Sequence, residues 1–470
     1  MPKMLEVINP FNNEPVGRTP LPDKEEMLVM VEKAKVAQKI WAKTPLWKRA
    51  KVCYQFVELI KENVDDIATT LTKEMGKPIG QSIDEIKGAA SIFRGFVEKA
   101  NHLYGEVLST ENQPGFDNDL IFTKREPLGV IACVIPFNYP IEIYVQKAAP
   151  AIIMGNACIV KAPTSNPLAM IKLNDLWSRL DIPEGLVQAF AADRDIYTEY
   201  LLKSPDIAAI SMTGSSKAGV LMAQCAAPTL KTICLELGGN DGNIVRADAD
   251  IDYVTDEMIE GRIYNAGQTC CACKRWIVHE SIKDEVTNNL IEKLKKLKIG
   301  DPLDPEVDMS TVISEKKAKE VIEQIEHTIE QGATLAYGGT REGAIVMPTV
   351  LTDVDKNYDI ASDLEVFGPV FPIISFKTDE EAIEIANNTS FGLSSGIITK
   401  DLKQAIHMAQ YIQAGAVVLN GQSSYYNMNQ PFGGYKMSGI GREGTSCTLE
   451  ELSQVKSYIL KNAFDQKVPE

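Results

Sequence analysis

Two short glycine-containing motifs carry the residues best suited to covalent chemistry. The segment LELGGN contains Glu236, and the segment GQTC ends at Cys270, thirty-four positions later (270 − 236). A cysteine thiolate attacks carbonyl carbon, and a basic or cationic neighbour usually activates it. A carboxylate close by can also activate water to hydrolyse a thioester. The pair therefore predicts a thioester-forming enzyme with Cys270 as nucleophile and Glu236 as base.

The predicted elements place both residues at bends where a substrate can approach. Cys270 lies in an irregular connection between a predicted helix at 252–265 and a strand that begins near Arg275, and such connections often carry function. Glu236 ends an apolar strand, and open α/β sheets bind ligands at the carboxyl ends of their strands. A structural cysteine and a salt-bridged glutamate remain the alternative readings.

Two other uses of the cysteines find less support in the sequence. Cysteines 270, 271 and 273 are clustered, but a zinc site needs four ligands, and no second Cys/His pair follows within fifty residues. A Cys–His hydrolase needs a histidine base, and nothing marks any of the four histidines (102, 279, 327 and 407) for that role. We therefore predict no metal site.

Three further segments follow predicted buried strands. Gly214 and Ser215 open a helix, whose N-terminal N–H groups can bind an anion, although a serine there is also an ordinary helix cap. Lys161 could meet ribose hydroxyls or phosphate, or lie in solvent. Asn138, between Pro136 and Pro140, could donate to an oxyanion or simply form a turn.

Apolar runs rich in β-branched residues alternate with helical stretches along the chain. The run at 129–136 is typical of a strand buried on both faces of a parallel sheet, and similar runs follow at 157–160, 207–212 and 232–235. The alternation begins again after residue 240. Preceding helices are predicted at 25–41 and near 46–75, the second ending at Gly76. The pattern predicts two doubly wound α/β domains.

Composition limits the class of protein. The chain has 470 residues, 44% of them hydrophobic and 24% charged, with a formal net charge of −16. These values are typical of a globular protein and disfavour binding to nucleic acid or to an anionic membrane. We find neither a membrane-spanning apolar stretch nor a signal peptide. Nine cysteines, an odd number mostly in apolar runs, are consistent with a reducing cytoplasm.

Six motifs in register resemble the aldehyde dehydrogenase superfamily. They are the Glu236 and Cys270 segments, the Asn138 and Lys161 segments, EVFGP at 365–369 and PFGGYKMSG at 431–439. They occur in the order of that family and span essentially the whole chain. The general pattern is most similar to its lactaldehyde and non-phosphorylating glyceraldehyde-3-phosphate members.

The resemblance implies a role for each catalytic residue. Cys270 would attack an aldehyde to give a thiohemiacetal, whose oxyanion Asn138 and the Cys270 backbone N–H would hold. Hydride transfer to a nicotinamide would leave a thioester, and Glu236 would activate the water that releases the carboxylic acid. The expected product is therefore an acid, made with NAD or NADP.

The same resemblance implies a cofactor site. Lys161 and Thr164 would contact the adenosine ribose, Gly214 and Ser215 the pyrophosphate, and Glu365 and Phe367 the nicotinamide ribose; the other implied residues are Pro136, Gly219 and Leu237. Many members that use NAD carry glutamate where this chain has Thr164. Without that carboxylate a 2′-phosphate is not repelled, so we favour NADP over NAD.

The implied fold has three parts. A Rossmann-type dinucleotide-binding domain would comprise 1–110 and 131–238, and an α/β catalytic domain 239–437. A small β oligomerisation element would comprise 111–130 and 453–470, forming a homodimer or homotetramer.

The substrate is expected to be a small polar aldehyde that contacts Tyr139, Gln146, Tyr264 and Ser424. Members that act on succinic semialdehyde place arginine at positions matching Gln146 and Tyr264, and this chain has neither. A succinate-semialdehyde-type enzyme and a CoA-acylating semialdehyde dehydrogenase remain alternatives, the second disfavoured by Glu236. The presence of Cys270, Glu236 and Asn138 together makes a non-catalytic scaffold the least favoured reading.

Overall fold

Helices and strands alternate along the chain, of which the computed structural model describes residues 3–464. The helices are α1 (Lys24–Trp41), α2 (Leu46–Glu62), α3 (Val64–Met75), α4 (Ile79–Ala100), α5 (Pro140–Ile153), α6 (Leu168–Asp175), α7 (Arg194–Tyr197), α8 (Ser216–Ala226), α9 (Ile251–Ile263), α10 (Lys283–Leu294), α11 (Glu315–Glu330), α12 (Asp379–Asn387), α13 (Leu402–Ala409) and α14 (Cys447–Glu451).

The strands form five sheets. They are β1 (Lys3–Ile8), β2 (Pro15–Leu21), β3 (Val107–Leu108), β4 (Leu120–Pro127), β5 (Val130–Val134), β6 (Ala157–Lys161), β7 (Val187–Phe190), β8 (Ile207–Thr213), β9 (Thr232–Glu236), β10 (Asp241–Val245), β11 (Cys273–His279), β12 (Thr334–Tyr337), β13 (Arg341–Glu342), β14 (Ile345–Val346), β15 (Thr349–Thr352), β16 (Val370–Phe376), β17 (Ser394–Ile398), β18 (Ala416–Leu419), β19 (Gly439–Ile440) and β20 (Ser453–Leu460).

The first large sheet brings the predicted site segments to one edge. Its order is β19-β9-β8-β5-β6-β7, and all neighbours are parallel except β19, which pairs antiparallel with β9. All five residues of β5 are buried, as its unbroken apolar run predicts. The chain order reverses between β5 and β8, and a crevice at such a switch point is where open α/β sheets bind ligands.

The second large sheet has the order β12-β15-β16-β11-β10-β17-β18. All of its neighbours are parallel except β12 and β15. Each large sheet has its own apolar core, the first built around residues such as Ile131 and Ile210 and the second around Ile277 and Phe371. Residues from both bodies line two shared cavities.

The smallest of the three main sheets has the antiparallel order β20-β4-β3. Strands β20 and β4 pair along their full length, from Ser453 opposite Pro127 to Leu460 opposite Leu120. This sheet begins at Val107, ahead of the predicted boundary at 111, whereas Val130 belongs to the first large sheet. Residues 1–2 and 465–470 of the predicted segments lie outside the described residues.

The structure corrects two predicted helices. The helix expected near 46–75 is two helices, because the backbone turns out of helical geometry at Asn63 (φ −114°, ψ 16°); the second ends at Gly76, whose φ of 79° only glycine adopts easily. The helix expected at 252–265 ends at Ile263. The strands that were not predicted from the sequence are β1, β2, β3, β7, β10, β12, β13, β14, β15 and β19. No helix within 3–464 is long and apolar enough to cross a membrane.

Candidate active site

Two cavities meet at Cys270 and Glu236, which line both of them. The first cavity, of about 500 Å³, lies at the carboxyl edge of the first large sheet. Its other wall is formed by α11 and by the segment that follows a short 3₁₀ helix at Asp359–Ala361. The second, of about 430 Å³, is lined by α5, α9 and the segment that follows β18. The nucleophile and the base predicted from sequence therefore stand where two separate ligand chambers join.

A left-handed stretch of backbone at residues 265–267 positions Cys270 at this junction. Asn265, Ala266 and Gly267 have φ values of 52°, 50° and 76°, which non-glycine residues rarely adopt. At Gly267 a Cβ atom would lie 2.3 Å from the carbonyl oxygen of Gly368, so only glycine fits there. The buried Gln268 side chain secures the bend: it donates to the Asn265 carbonyl at 3.0 Å and accepts from the Ile313 N–H at 2.8 Å.

Cys270 is partly exposed, whereas Cys271 and Cys273 are buried. A hydrogen bond with Cys271 raises the pKa of the Cys270 thiol well above its ordinary value, removal from water raises it further, and the Lys274 ammonium opposes both. The Lys274 ammonium donates to the Cys270 carbonyl and lies 3.3 Å from Glu365. Among residues 3–464 no group of His, Cys, Asp or Glu side chains is placed to hold a metal ion.

Glu236 is the last residue of β9 and is only 3% exposed. Burial raises its pKa well above the usual range of a glutamate, and proximity to Cys270 and Glu443 adds to the shift. In the described structure its Oε1 atom has no hydrogen-bond partner. A buried carboxyl oxygen without a partner is costly, and it is suited to hold a water molecule beside the thiol.

Asn138 lies in the bend between β5 and α5 and lines the first cavity with Cys270. Its backbone is held by two hydrogen bonds, because its carbonyl accepts from the Lys77 ammonium at 2.9 Å and from the Asn265 side-chain amide at 3.1 Å. Its own side-chain amide makes no hydrogen bond to any residue in 3–464, so the amide N–H is available to a ligand oxygen.

The sequence reading missed the buried ion pair that supports this bend. Lys77 and Glu85 are completely buried and lie 2.5 Å apart. Glu85 also accepts from the Ile141 N–H at 2.9 Å, which fixes the start of α5, and the Lys77 ammonium lies 3.9 Å from the centre of the Tyr139 ring. No local pattern reveals this role, since Lys77 and Asn138 are 61 positions apart.

Seven of the nine predicted cofactor residues line the first cavity: Pro136, Lys161, Thr164, Gly214, Ser215, Glu365 and Phe367. Gly219 and Leu237 are not among the residues that line this cavity. They pack on each other instead, since a Cβ on Gly219 would lie 2.6 Å from the Leu237 side chain. Tyr197, Lys317, Glu320 and Gln324 also line this cavity and were not predicted.

The chemistry of the first cavity fits a dinucleotide. Ser215 caps α8 by accepting from the Ala218 N–H at 3.3 Å, so the N-terminus of an eleven-residue helix opens at the cavity, a favourable position for phosphate. Burial lowers the pKa of Lys161 to about 8, and its ammonium has no carboxylate within ion-pair distance in the described chain. Glu365 is held by the Gly239 N–H at 2.9 Å.

All four predicted substrate residues line the second cavity. Tyr139 and Tyr264 stack in parallel (6.4 Å between centres, 5° between planes), and the Tyr139 hydroxyl lies 3.1 Å from that of Thr269. Gln146 donates to Glu142 at 3.1 Å, and the Ser424 hydroxyl donates to Gln422. Lining residues that the sequence reading did not predict are Glu142, Ile143, Glu260, Gly261, Phe432 and Glu443.

Comparison with known proteins agrees with this geometry. The model of the aldehyde dehydrogenase family matches residues 1–458. A lactaldehyde dehydrogenase from Methanococcus aeolicus is 34% identical over 462 residues, which cover 97% of each chain.

Two solved structures resemble the whole chain. A glyceraldehyde-3-phosphate dehydrogenase from Methanocaldococcus jannaschii, complexed with NADP, has a TM-score of 0.93 and 33% identity, covering 98% of this chain and 99% of that one. A betaine aldehyde dehydrogenase from Staphylococcus aureus, in complex with NAD+, has a TM-score of 0.94 and 30% identity, covering 99% and 93%.

The raised pKa of Cys270 predicts how the ligand-free protein reacts with an alkylating agent. Only the thiolate reacts, so the rate of iodoacetamide modification at Cys270 should still be rising above pH 9, where a free cysteine with a pKa of about 8.5 levels off. Mass spectrometry of the Cys270 peptide at each pH measures the rate, with the Cys270→Ser variant as blank. A plateau below pH 8 would contradict the raised pKa.

Proposed function

Because this chain belongs to the aldehyde dehydrogenase family and is an NAD(P)-dependent aldehyde dehydrogenase, we propose that it oxidises a small polar aldehyde to the acid through a Cys270 thioester that Glu236 helps to hydrolyse. The observation that carries the proposal is the position of these two residues. Both line both cavities, and one Glu236 oxygen has no partner in the described structure.

Covalent capture begins when the Cys270 thiol passes its proton to the neighbouring Glu236 carboxylate and the sulfur adds to the aldehyde carbon, forming a thiohemiacetal. The new oxyanion accepts from the Asn138 side-chain amide and the Cys270 backbone N–H, a pair of donors fixed before the reaction. When NAD(P) is bound in the first cavity, its oxidised nicotinamide supplies the hydride acceptor. Loss of hydride from the same carbon leaves a thioester on Cys270.

Glu236 then acts on water. Once the sulfur is held in a thioester, the Cys270 thiol no longer adds to the raised pKa of Glu236, which favours the carboxylate form of that side chain. A carboxylate whose basicity is increased by burial is a better proton acceptor near neutral pH. Glu236 takes a proton from water, hydroxide adds to the thioester carbonyl, and the thiolate leaves as the acid is released.

Residues of the first cavity would hold the cofactor. Lys161 and Thr164 would meet the adenosine ribose, the N-terminus of α8 with Gly214 and Ser215 the pyrophosphate, and Glu365 with Phe367 the nicotinamide ribose. We favour NADP, since no carboxylate among residues 3–464 lies within ion-pair distance of the Lys161 ammonium, and Thr164 offers a hydroxyl where a carboxylate would repel a 2′-phosphate. Use of NAD as well is compatible with the same residues.

Hydrolysis is favoured over transfer of the acyl group to CoA. The CoA-acylating branch commonly lacks the residue that matches Glu236, whereas here that residue is present and buried beside Cys270. A succinate-semialdehyde-type activity is also disfavoured, because no arginine or lysine lines the second cavity within residues 3–464.

An assembly of two or four copies is proposed through the β20-β4-β3 sheet. Val455, Ile459 and Leu460 on β20 are apolar and 46–61% exposed, and an exposed apolar strand is suited to association. Light scattering should give a dimer or tetramer, and charged replacements at Val455 and Ile459 should shift it toward monomer. A monomer for the unaltered chain would contradict the proposal.

Substitution of the two central residues separates the chemical steps. With a panel of aldehydes and both cofactors, Cys270→Ser should abolish reduced-nicotinamide formation, because serine at this site has no adequate base. Glu236→Gln should give a burst of reduced nicotinamide followed by turnover slowed about 10²–10⁴-fold, the usual contribution of a general base. Cys447→Ser, at a half-buried cysteine away from both cavities, is the matched control. Undiminished steady-state turnover in Glu236→Gln would remove its proposed role.

Cofactor preference depends on charge at position 164. Thr164→Glu should weaken the binding of NADP about tenfold or more, since it sets two like charges side by side, with a much smaller effect on NAD. Fluorescence titration of the reduced cofactors measures both affinities, and Thr164→Gln controls for side-chain size. Equal losses for the two cofactors would refute the placement of the 2′-phosphate beside Thr164.

A further inference from the structure

The second cavity is acidic and aromatic. Its carboxyl groups belong to Glu142, Glu236, Glu260 and Glu443, and its rings to Tyr139, Tyr264, Tyr425, Tyr426 and Phe432. Within the described chain, residues 3–464, no lysine or arginine lines it. A chamber of this composition repels an anionic ligand and attracts a cationic one.

Two carboxylates in or near the second cavity, those of Glu443 and Glu85, are already paired with lysine ammonium groups. The Glu443 carboxylate lies 2.7 Å from the ammonium of Lys147, which is 1% exposed. Behind the cavity wall, Glu85 is paired with Lys77. Each of these pairs is neutral as a whole, so neither accounts for an attraction of the cavity toward cations.

Glu142 and Glu260 remain without a counterion. In the part of the chain that the structure describes, no Lys, Arg or His nitrogen lies within ion-pair distance of either carboxyl. Glu260 is exposed at the rim, where solvent screens its charge. Glu142 is partly buried in the first turn of α5, and the only hydrogen bond that its carboxyl accepts is from the Gln146 amide.

The carboxyl groups around Glu142 favour the binding of a cationic ligand. Burial, together with the nearby carboxyl groups of Glu85 and Glu443, raises the pKa of Glu142 to about 7, against the opposing effects of Lys77 and the Gln146 hydrogen bond. A cation that entered the cavity would offset the repulsion among these carboxyl groups. The protein itself supplies no such cation on the cavity side.

The aromatic side chains give a second reason to expect a cation. Tyr426 and Phe432 meet edge to face (5.5 Å between centres, 81° between planes), and the buried Tyr426 hydroxyl oxygen has no hydrogen-bond partner in the described structure. An ammonium group is attracted to aromatic faces, by about 0.5–2 kcal/mol for each contact, and its N–H groups can donate to an unpartnered hydroxyl. Carboxylates and rings in one chamber therefore favour the same ligand charge.

We propose that the preferred substrates are aldehydes that carry a protonated amine, and that Glu142 selects them by binding the ammonium group in the second cavity. This inference rests on the proposed function, because it assumes that the aldehyde carbon reaches Cys270 from this cavity. Aldehydes that end in a carboxylate or phosphate are the poorest substrates, since nothing on the described wall of the cavity compensates their charge.

The test compares three short aldehydes that differ in charge: 3-aminopropanal, 3-hydroxypropanal and succinic semialdehyde. We expect kcat/KM for 3-aminopropanal to exceed that for 3-hydroxypropanal about tenfold or more, the size of one partly desolvated cation–π or ion-pair contact, and succinic semialdehyde to rank last. An independent measurement is inhibition of 3-hydroxypropanal oxidation, in which N,N-dimethylpropylamine, a tertiary amine that cannot form an imine with the aldehyde, should inhibit and n-propanol should not.

Substitutions assign the preference to the cavity wall. Glu142→Gln keeps the shape and the Gln146 hydrogen bond, and it should lower the ratio of kcat/KM for 3-aminopropanal to that for 3-hydroxypropanal about tenfold. Glu98→Gln, at an exposed glutamate far from the cavity, should leave the ratio unchanged. Gln146→Arg should raise kcat/KM for succinic semialdehyde and lower it for 3-aminopropanal.

The two proposals fail in different ways. If the unaltered enzyme oxidises no aldehyde with either cofactor, the proposed function is wrong. If it oxidises 3-hydroxypropanal or succinic semialdehyde as well as or better than 3-aminopropanal, the function stands and the preference for a cation is overturned. A preference for the amine that survives Glu142→Gln would likewise overturn the role of Glu142.

Discussion

The close approach of a thiol and an uncompensated buried carboxyl is the constraint on which the site depends. Glu236 is 3% exposed with one oxygen unpartnered in the described structure, an arrangement that costs free energy. The rest of the fold offsets this cost. Strand β9 is paired on both sides, by β8 and by β19, which fixes the backbone that carries the Glu236 carboxyl.

Rigid supports fix the other reacting groups. The left-handed run at 265–267 carries Cys270, and the completely buried Lys77–Glu85 pair holds both the Asn138 carbonyl and the start of α5. Removing one member of such a pair leaves an uncompensated buried charge, which is far more harmful than the pair is stabilising. The bend that carries Asn138, a proposed oxyanion donor, is therefore held by residues distant in the chain.

The two cavities differ in their electrostatic character. The first presents the Lys161 ammonium and the N-terminus of α8, which attract phosphate, whereas the second presents carboxyl groups and aromatic rings. The first cavity therefore favours an anionic ligand and the second a cationic one, and Cys270 lies where the two cavities meet. In the proposed function, this separation of charge would help to keep cofactor and aldehyde in different cavities.

The sequence by itself determined the candidate residues and the strand-to-helix alternation. Cys270, Glu236 and Asn138 were identifiable because residue type and short-range motif depend only on neighbours in the chain, and the structure gathers all three around the first cavity. Only the tertiary structure decided the strand order, the packing of Gly219 against Leu237, the Lys77 support beneath Asn138 and the compensation of Glu443 by Lys147. The last two contacts join residues 61 and 296 positions apart, and no local pattern encodes contacts that exist only once distant segments have packed together.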